Sequence, residues 1–355
     1  MGILQYGMEK YAERPGNRPC NLCVSAPLLK FFLNQIFIFT IKNSIHYFHA
    51  GKLYLKDVGV MELNAVEVLY MHFVNGRTHD EAVMYDFWLT QYGTEARNLI
   101  ESLLNKGIIY GNDDLSVTLK KLKVPELKNL LKQSGIKVSG NKSALIERIT
   151  ENRNIIDFGN ETLKSVYTVK EDCRAFLEQT DFIDYFHFNG HISVYEAYDY
   201  YRAHPEKTSD EVVTGVLREK VENTIHNKNK YDAIKAFRLL SHFHQEGLED
   251  TESAVHYLNN FAMLIILQSI MRYRSYKSIL AGSHFNIDNF TADKYRHLLE
   301  TGQMTPYTLY HSLVDDTEDL PYSYESRKRA ARFITDYVME DEDAEIKLRG
   351  LLDDQ

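Results

Sequence analysis

Residues 254–271 read AVHYLNNFAMLIILQSIM. No position in this stretch carries a full charge, and apolar side chains fall on nearly every side of a 3.6-residue period. An ordinary surface helix hides one stripe; this one has to be covered almost all round. The spacing predicts a central buried helix, and the rest of the chain must supply the faces that enclose it. The neighbouring sequence does so. YDAIKAFRLLSHF (231–243) repeats its apolar residues at helical spacing, and helix-start signals recur along 161–353. Ser193-Val-Tyr-Glu196 and Thr208-Ser-Asp-Glu211 are capping boxes, and Thr251 and Thr291 are expected N-caps. These signals predict an all-helical region, either a bundle or an irregular array of helical hairpins, since no repeat period holds. The chain closes on an acidic tail, MEDEDAEIKLRGLLDDQ.

A mixed grammar governs residues 61–118. Asn64-Ala-Val-Glu67 is a capping box with Leu63 and Val68 placed as a hydrophobic staple, and Gly76 closes the helix that follows. After a segment holding the only tryptophan, Trp88, a helix capped by Thr94 is expected, with Ala96, Leu99, Ile100, Leu103 and Leu104 on one face. Ile108-Ile109-Tyr110, a GNDD turn and Leu115-Ser-Val-Thr-Leu119 then predict a β-hairpin. Helices followed by a hairpin are the order of a winged helix. In that reading the helix at 94–106 would enter DNA, but Glu95, Arg97, Glu101 and Lys106 sum to zero charge, so phosphate attraction is absent. The segment reads better as a packing or protein-contact module.

Residues 119–153 are the electrostatic exception. They hold nine Lys or Arg and three Glu, a local +6; with the whole chain at −9, the other residues carry −15. Pro125 suits a first helical turn, Leu127, Leu130 and Leu131 follow at helical spacing, and Gly135 ends that helix. Ile136-Lys-Val138 is predicted to be extended with both β-branched residues on one side. Ser139-Gly140-Asn141 then turns into a second helix, whose Leu145, Ile146 and Ile149 face back to the first. The polar faces carry Lys128, Lys132, Lys142 and Arg148.

This pattern, LKVPELKNLLKQSGIKVSGNKSALIERI, resembles the SAP domain family, DNA-binding motifs of the scaffold-attachment-factor type. The likeness rests on Leu127-Lys128, on the small-Gly-x-Lys turn at 139–142, and on Leu145, Arg148 and Ile149, and it covers 119–153. It implies binding of double-stranded DNA, chiefly through the backbone, by the start of the second helix and nearby lysines. Carried over, those residues are Gly140, Asn141, Lys142 and Ser143, supported by Lys128, Lys137 and Arg148. Independently, the N–H groups and positive dipole end at a helix start attract phosphate, and Lys142 adds a mobile charge there. The order of a winged-helix-like segment followed by a SAP module is also similar to uncharacterised proteins of Gram-positive bacteria and their phages, a likeness that lends no catalytic residues.

Other signals are weaker. The acidic chain as a whole repels nucleic acid, so any affinity for it must be local. Cys20, Cys23 and Cys173 give no disulfide framework, and the CNLC at 20–23 lacks a second half-site to complete a metal. The apolar run at 27–41 is interrupted by Lys30, Asn34 and Gln35, too short for a span of about 20 residues, and its FIFTI reads as a buried strand. It does not fit a signal peptide either, so a cytoplasmic protein is expected. Orderly grammar starts only at Met61, and Lys56-Asp57 codons can spell a ribosome-binding sequence, so a natural start at Met61 is one expectation. No phosphate-cradling glycine loop, nucleophile elbow or HExxH occurs. His187 and His191, the His242-Phe243-His244 run and Asp343-x-Glu345-x-Lys347 read as packing or surface groups rather than as ligands or a nuclease centre.

The expected fold is mainly α. A poorly defined segment (1–60) precedes a winged-helix-like segment with a short hairpin (61–118), a SAP module (119–153) and an all-helical domain with an acidic tail (154–355). The expected function is a non-enzymatic DNA-binding accessory protein, gripping duplex backbone through the SAP module while the helical body engages a protein. The alternative is a helical structural or interaction protein, of the phage-encoded kind, whose basic hairpin docks an acidic partner. No cofactor, metal, catalytic residue or membrane enters either reading.

Overall fold

The computed structural model describes residues 37–41, 44–49, 52–55, 59–158, 163–275 and 285–353. The CNLC at 20–23 and most of the 27–41 run lie outside the described residues. Phe37–Ile41 is a strand, β1, as expected, and pairs antiparallel with β2 (Ser44–His49). β3 (Lys52–Leu55) and β4 (Gly59–Glu62) continue the same consecutive antiparallel order. The described residues are predominantly helical, and they fall into two compact units, one ending at Val212 and one beginning at Val213.

In the first unit α1 (Ala65–Val74) starts with the expected capping box. Asn64 Oδ1 accepts from the N–H groups of Val66 and Glu67, and Glu67 Oε2 accepts from Asn64 N–H at 3.0 Å. The staple residues Leu63 and Val68 are both buried. Glu67 is itself buried, and its other oxygen accepts from Ser102 Oγ at 2.6 Å and from Lys106 Nζ. Burial opposes its ionisation, but the Lys106, Ser102 and Asn64 bonds outweigh that and hold the carboxyl below its ordinary range. A short α2 (His79–Val83), capped by Thr78, leads to α3 (Phe87–Tyr92) and α4 (Ala96–Asn105). Trp88 is 1 % exposed, with the Tyr70 ring edge-on at 4.7 Å and Phe73 at 5.2 Å. α4 starts after Glu95 rather than at a Thr94 cap, because the Thr94 N–H turns back to the Trp88 carbonyl. Leu104, expected on the inner face, points outward.

The expected hairpin is not formed. Ile109–Asn112 is a strand, β5, but Leu115–Thr118 is a helical turn, α5, continued by a 3₁₀ turn at Leu119–Lys121. Its apolar residues are needed elsewhere: Leu119 is fully buried and Leu115 half-buried in the core of the basic hairpin that follows. β5 pairs instead with β6 (Val166–Val169), antiparallel, with Gly111 opposite Tyr167. β6 also bonds to the stretch after α1, through Gly76 N–H to Tyr167 O at 2.7 Å and Tyr167 N–H to Arg77 O at 2.8 Å. Between β5 and β6 lie α6 (Val124–Gln133) and α7 (Lys142–Glu151), the two helices of the basic hairpin. After β6 come α8 (Arg174–Gln179), α9 (Phe182–Asn189) and α10 (Val194–Ala203), of which α9 and α10 pack on α1. Ser193 caps α10 as expected, its hydroxyl accepting from Glu196 N–H. Cys173, just before α8, is buried, which raises its thiol to about 12 and keeps it protonated.

The second unit begins within α11 (Ser209–Thr224), whose Thr208–Glu211 capping box is present. It continues with α12 (Tyr231–Glu246), α13 (Thr251–Ser275), α14 (Asn289–Glu300), α15 (Pro306–Asp315), α16 (Tyr324–Val338) and α17 (Ala344–Asp353). α13 is the helix read from 254–271. By length and composition it could cross a bilayer, but 72 % of its most apolar window is buried inside the protein, the mark of a core helix. Its two buried asparagines are hydrogen-bonded. Asn259 donates to Ser312 Oγ at 2.7 Å and to Asp316 Oδ2 at 2.5 Å, while the fully buried Tyr295 hydroxyl donates to Asn259 Oδ1 at 2.9 Å. The caps of α13 and α14 sit on Asp250 and Asp288, whose carboxylates accept from Ser253 and Thr291 N–H; Thr251 and Thr291 lie inside the helices. An ionised oxygen meets the positive helix start better than a hydroxyl does.

Candidate nucleic-acid interface

The basic hairpin closes on its own apolar core. Leu119, Leu127, Leu130, Leu131, Leu145, Ile146, Ile149 and Ile156 are buried together, with Ile136 half-buried against them. α6 opens with Pro125 and with Glu126 accepting from Lys123 N–H, and it closes at Gly135. There φ is +70° and Ile136 N–H reaches back to Leu131 O at 2.8 Å, a glycine-dependent stop. Val138 is 37 % exposed, so the two β-branched linker residues do not share the buried side as predicted.

The turn into α7 concentrates the candidate residues. Gly140 sits at φ +125°, and a Cβ there would stand 3.2 Å from the Ala144 Cβ. Asn141 is the N-cap, its Oδ1 accepting from Ala144 N–H at 3.0 Å. That leaves the N–H groups of Lys142 and Ser143, which have no carbonyl one turn earlier to reach. Both residues are exposed. Lys142 Nζ donates to the Lys120 carbonyl at 2.6 Å, which draws the 3₁₀ turn carrying exposed Lys120 alongside the start of α7. Arg148, one turn from the C-terminus of α7, is half-buried, and its Nη1 donates to the carbonyls of Lys137 and Ser139 at 2.8 and 2.9 Å. The arginine thus holds the linker in place, while the Lys137 ammonium is exposed. Lys128 is exposed on α6, on the side away from the leucines. Lys120 was not among the residues singled out from the motif; its only sequence signal is its place in the basic island.

The hairpin is fixed to the first unit at both ends. Asn112 Oδ1 accepts from Asp114 N–H at 2.9 Å where the chain leaves β5. Lys121 pairs with Glu81 at 2.6 Å and Lys164 with Asp80 at 2.5 Å, so both flanks meet adjacent acidic residues in the first turn of α2.

The comparison with protein families assigns this part of the chain: the family model described as the SAP domain matches residues 118–154. Residues 118–154 are a SAP domain. No curated protein and no solved structure matches the chain. The SAP domain brings with it an expectation of nucleic-acid binding, and its start of α7 suits an anion, with first-turn N–H groups, the positive end of the helix dipole and the Lys142 side chain.

The remaining candidates are engaged in packing. His187 Nδ1 bonds the Tyr92 hydroxyl at 2.6 Å, and burial lowers its pKa. Burial also lowers the pKa of His242, and His244 Nδ1 lies 3.2 Å from Asp250. In the tail, Lys347 pairs with Asp341 and Glu345 with Arg349.

Proposed function

We propose that the protein is a DNA-binding accessory factor without catalytic activity, working in the cytoplasm, which grips duplex backbone through the SAP domain. The observation that carries this reading is the start of α7, where the Lys142 and Ser143 N–H groups lie beside the Lys142 side chain, itself bonded to the backbone of exposed Lys120, within a domain of a DNA-binding family. Such contacts position without reading base edges, so discrimination among duplexes is small. The finer reading of the first unit is a winged helix whose wing, β5–β6, carries the SAP domain at its tip. The order α1, α2–α3, α4, β5, β6 supports it, as does the pairing of residues 76–78 with β6. Within that frame α4 shows Arg97, Asn98 and Glu101 outward with no net charge, so DNA is assigned to the SAP domain and not to α4. The second unit is assigned to a protein partner, because it exposes aromatic side chains, among them Tyr307, Tyr324, Phe290 and Tyr231.

Fluorescence anisotropy of the full chain with a duplex of arbitrary sequence tests the proposal. With about three to four phosphates contacted, log K falls with log salt at a slope of about −3. Absence of binding at low salt would overturn the DNA assignment and favour the alternative, an interaction protein whose basic hairpin docks an acidic partner.

A further inference from the structure

Outside the SAP domain, the first unit carries a run of aromatic rings at its surface. Tyr85 precedes α3, Phe87 and Tyr92 begin and end it, His187 and Phe188 lie in the last turn of α9, and Tyr195 lies in the first turn of α10. The ring centroids follow one another without a break. Tyr85 lies 6.0 Å from Phe87, Phe87 5.2 Å from His187, and His187 4.9 Å from Phe188. A branch leads from Phe87 to Tyr92 at 6.4 Å and on to Tyr195 at 6.5 Å. Tyr85, Phe188 and Tyr195 are 42, 48 and 46 % exposed, and the other three rings are half-buried. Met84 and Leu89, in the same stretch as Tyr85, are exposed as well. Scattered apolar residues at a surface need no explanation, but a connected set of them marks an interaction site.

Charge decides what the rings can receive. Residues 78–96 hold four Asp or Glu and residues 175–201 hold five, and neither stretch contains a Lys or Arg. Lys121 and Lys164 reach the first stretch from outside, but they are spent on Glu81 and Asp80. Asp86, between Tyr85 and Phe87, is exposed and forms no ion pair with a described residue. The Asp184 charge reaches both Tyr92 and His187, yet burial outweighs it and lowers the His187 pKa, so that ring adds no positive charge at pH 7. Single-stranded nucleic acid stacks on exposed rings too, but it needs cations along its backbone, and these stretches supply none. Arginine and lysine satisfy both features. Their cations are drawn to ring faces and to carboxylates, and their aliphatic stems lie along apolar surface. The chain makes one such contact itself: the Arg77 guanidinium stands 4.1 Å over the Phe73 ring, which lies 5.8 Å from Tyr85.

We propose that this face docks an arginine- or lysine-rich segment of another protein, whose cations lie over the rings and pair with Asp86. The proposal does not rest on DNA binding by the SAP domain. A reporter is built in. Trp88, the only tryptophan, is 1 % exposed beneath the run, 4.5 Å from Phe87 and 5.7 Å from Tyr92, so occupation of the rings alters its emission.

The test is a tryptophan-emission titration of the full chain with a short peptide alternating Arg and Leu. A saturable change is expected, weaker at high salt. Tyr85→Ser, Tyr195→Ser and Asp86→Asn should each weaken binding about two- to fivefold, while Glu342→Gln, in the acidic tail, leaves it unchanged. Asp86→Asn keeps shape at an exposed position, so it carries the test should circular dichroism show a tyrosine variant misfolded. Absence of a saturable change overturns the proposal. Equal weakening by Glu342→Gln does so too, since it reduces the binding to general attraction by an acidic protein. Oligothymidine that binds more tightly than the peptide and is weakened by Tyr85→Ser would make the rings a nucleobase platform instead. Self-association of the peptide-free chain, abolished by Tyr85→Ser and Tyr195→Ser, would give the face to a second copy and overturn the proposal as well.

Discussion

Lys142 combines two roles that a charge reversal separates. Its ammonium donates to the Lys120 carbonyl, and its own N–H is one of the two left open at the start of α7. Lys142→Glu loses the first bond, but a carboxylate in the first turn of a helix is favoured by the dipole by about 0.3–1 kcal/mol, so folding changes little. Phosphate is repelled all the same. Binding to every duplex should weaken together and the salt slope should become shallower by about 1, measurable by anisotropy across a salt series. Gly140→Ala works in the opposite sense. At φ +125° an alanine costs about 1–3 kcal/mol, and the Cβ also presses on Ala144, so denaturation should show the loss while every lysine remains in place.

At the scale of elements, the SAP domain depends on α6 and α7 meeting face to face. Leu145 is fully buried at the centre of that contact, and Leu145→Asp places a charge among leucines. Circular dichroism should show the loss of both helices, and DNA binding should vanish with them. These two helices were legible because their determinants are local: a proline at the start, a glycine at the stop, leucines at helical spacing, and partners within one short hairpin. β5 was legible as a strand but not in its pairing. Its neighbour β6 lies on the far side of the whole SAP domain, and Leu115–Leu119 looked like a nearer partner because Leu, Val and Thr fit a strand as well as a helical turn. The residue that decided the matter, Leu119, was claimed by the SAP core. Within the interface, the turn residues 140–143 were readable from the motif. That Arg148 is committed to linker carbonyls was not, because a guanidinium facing backbone leaves no pattern in sequence.

For the molecule as a whole, acid is the informative perturbation, since each unit ties a carboxylate into its core, Glu67 buried in the first and Asp316 half-buried in the second. In the second unit, burial opposes the charge of Asp316, but bonds from His256, Asn259 and Ser312 outweigh it and lower its pKa; in the first, Glu67 is lowered through Lys106, Ser102 and Asn64. A carboxyl with a lowered folded pKa stabilises fully above its unfolded value, near 4, and loses that contribution as pH falls through the folded value. Tm should therefore begin to fall as pH drops below about 6.5, where His187 and His242, lowered by burial, resist the protonation the unfolded chain accepts, and fall further below about pH 4 as the carboxyls protonate. Asp316→Asn should lower Tm at pH 7, at a cost of about 1–3 kcal/mol for unpaired buried donors, and blunt the acid response. The central helix of the second unit was legible from composition alone; Asn259 and Asn260 within it were not legible as partners of Asp316, which lies far along the chain. One feature of the first unit bears on mechanics. A module hung from a single linker swivels, but the SAP domain leaves by β5 and returns by β6, with Lys121 and Lys164 pinned side by side on α2. On the proposed function, a duplex held by it would not spin freely about its tether. Torque on such a duplex would pass to the two-stranded ribbon and, through the bonds of Gly76 and Tyr167, to the C-terminal end of α1.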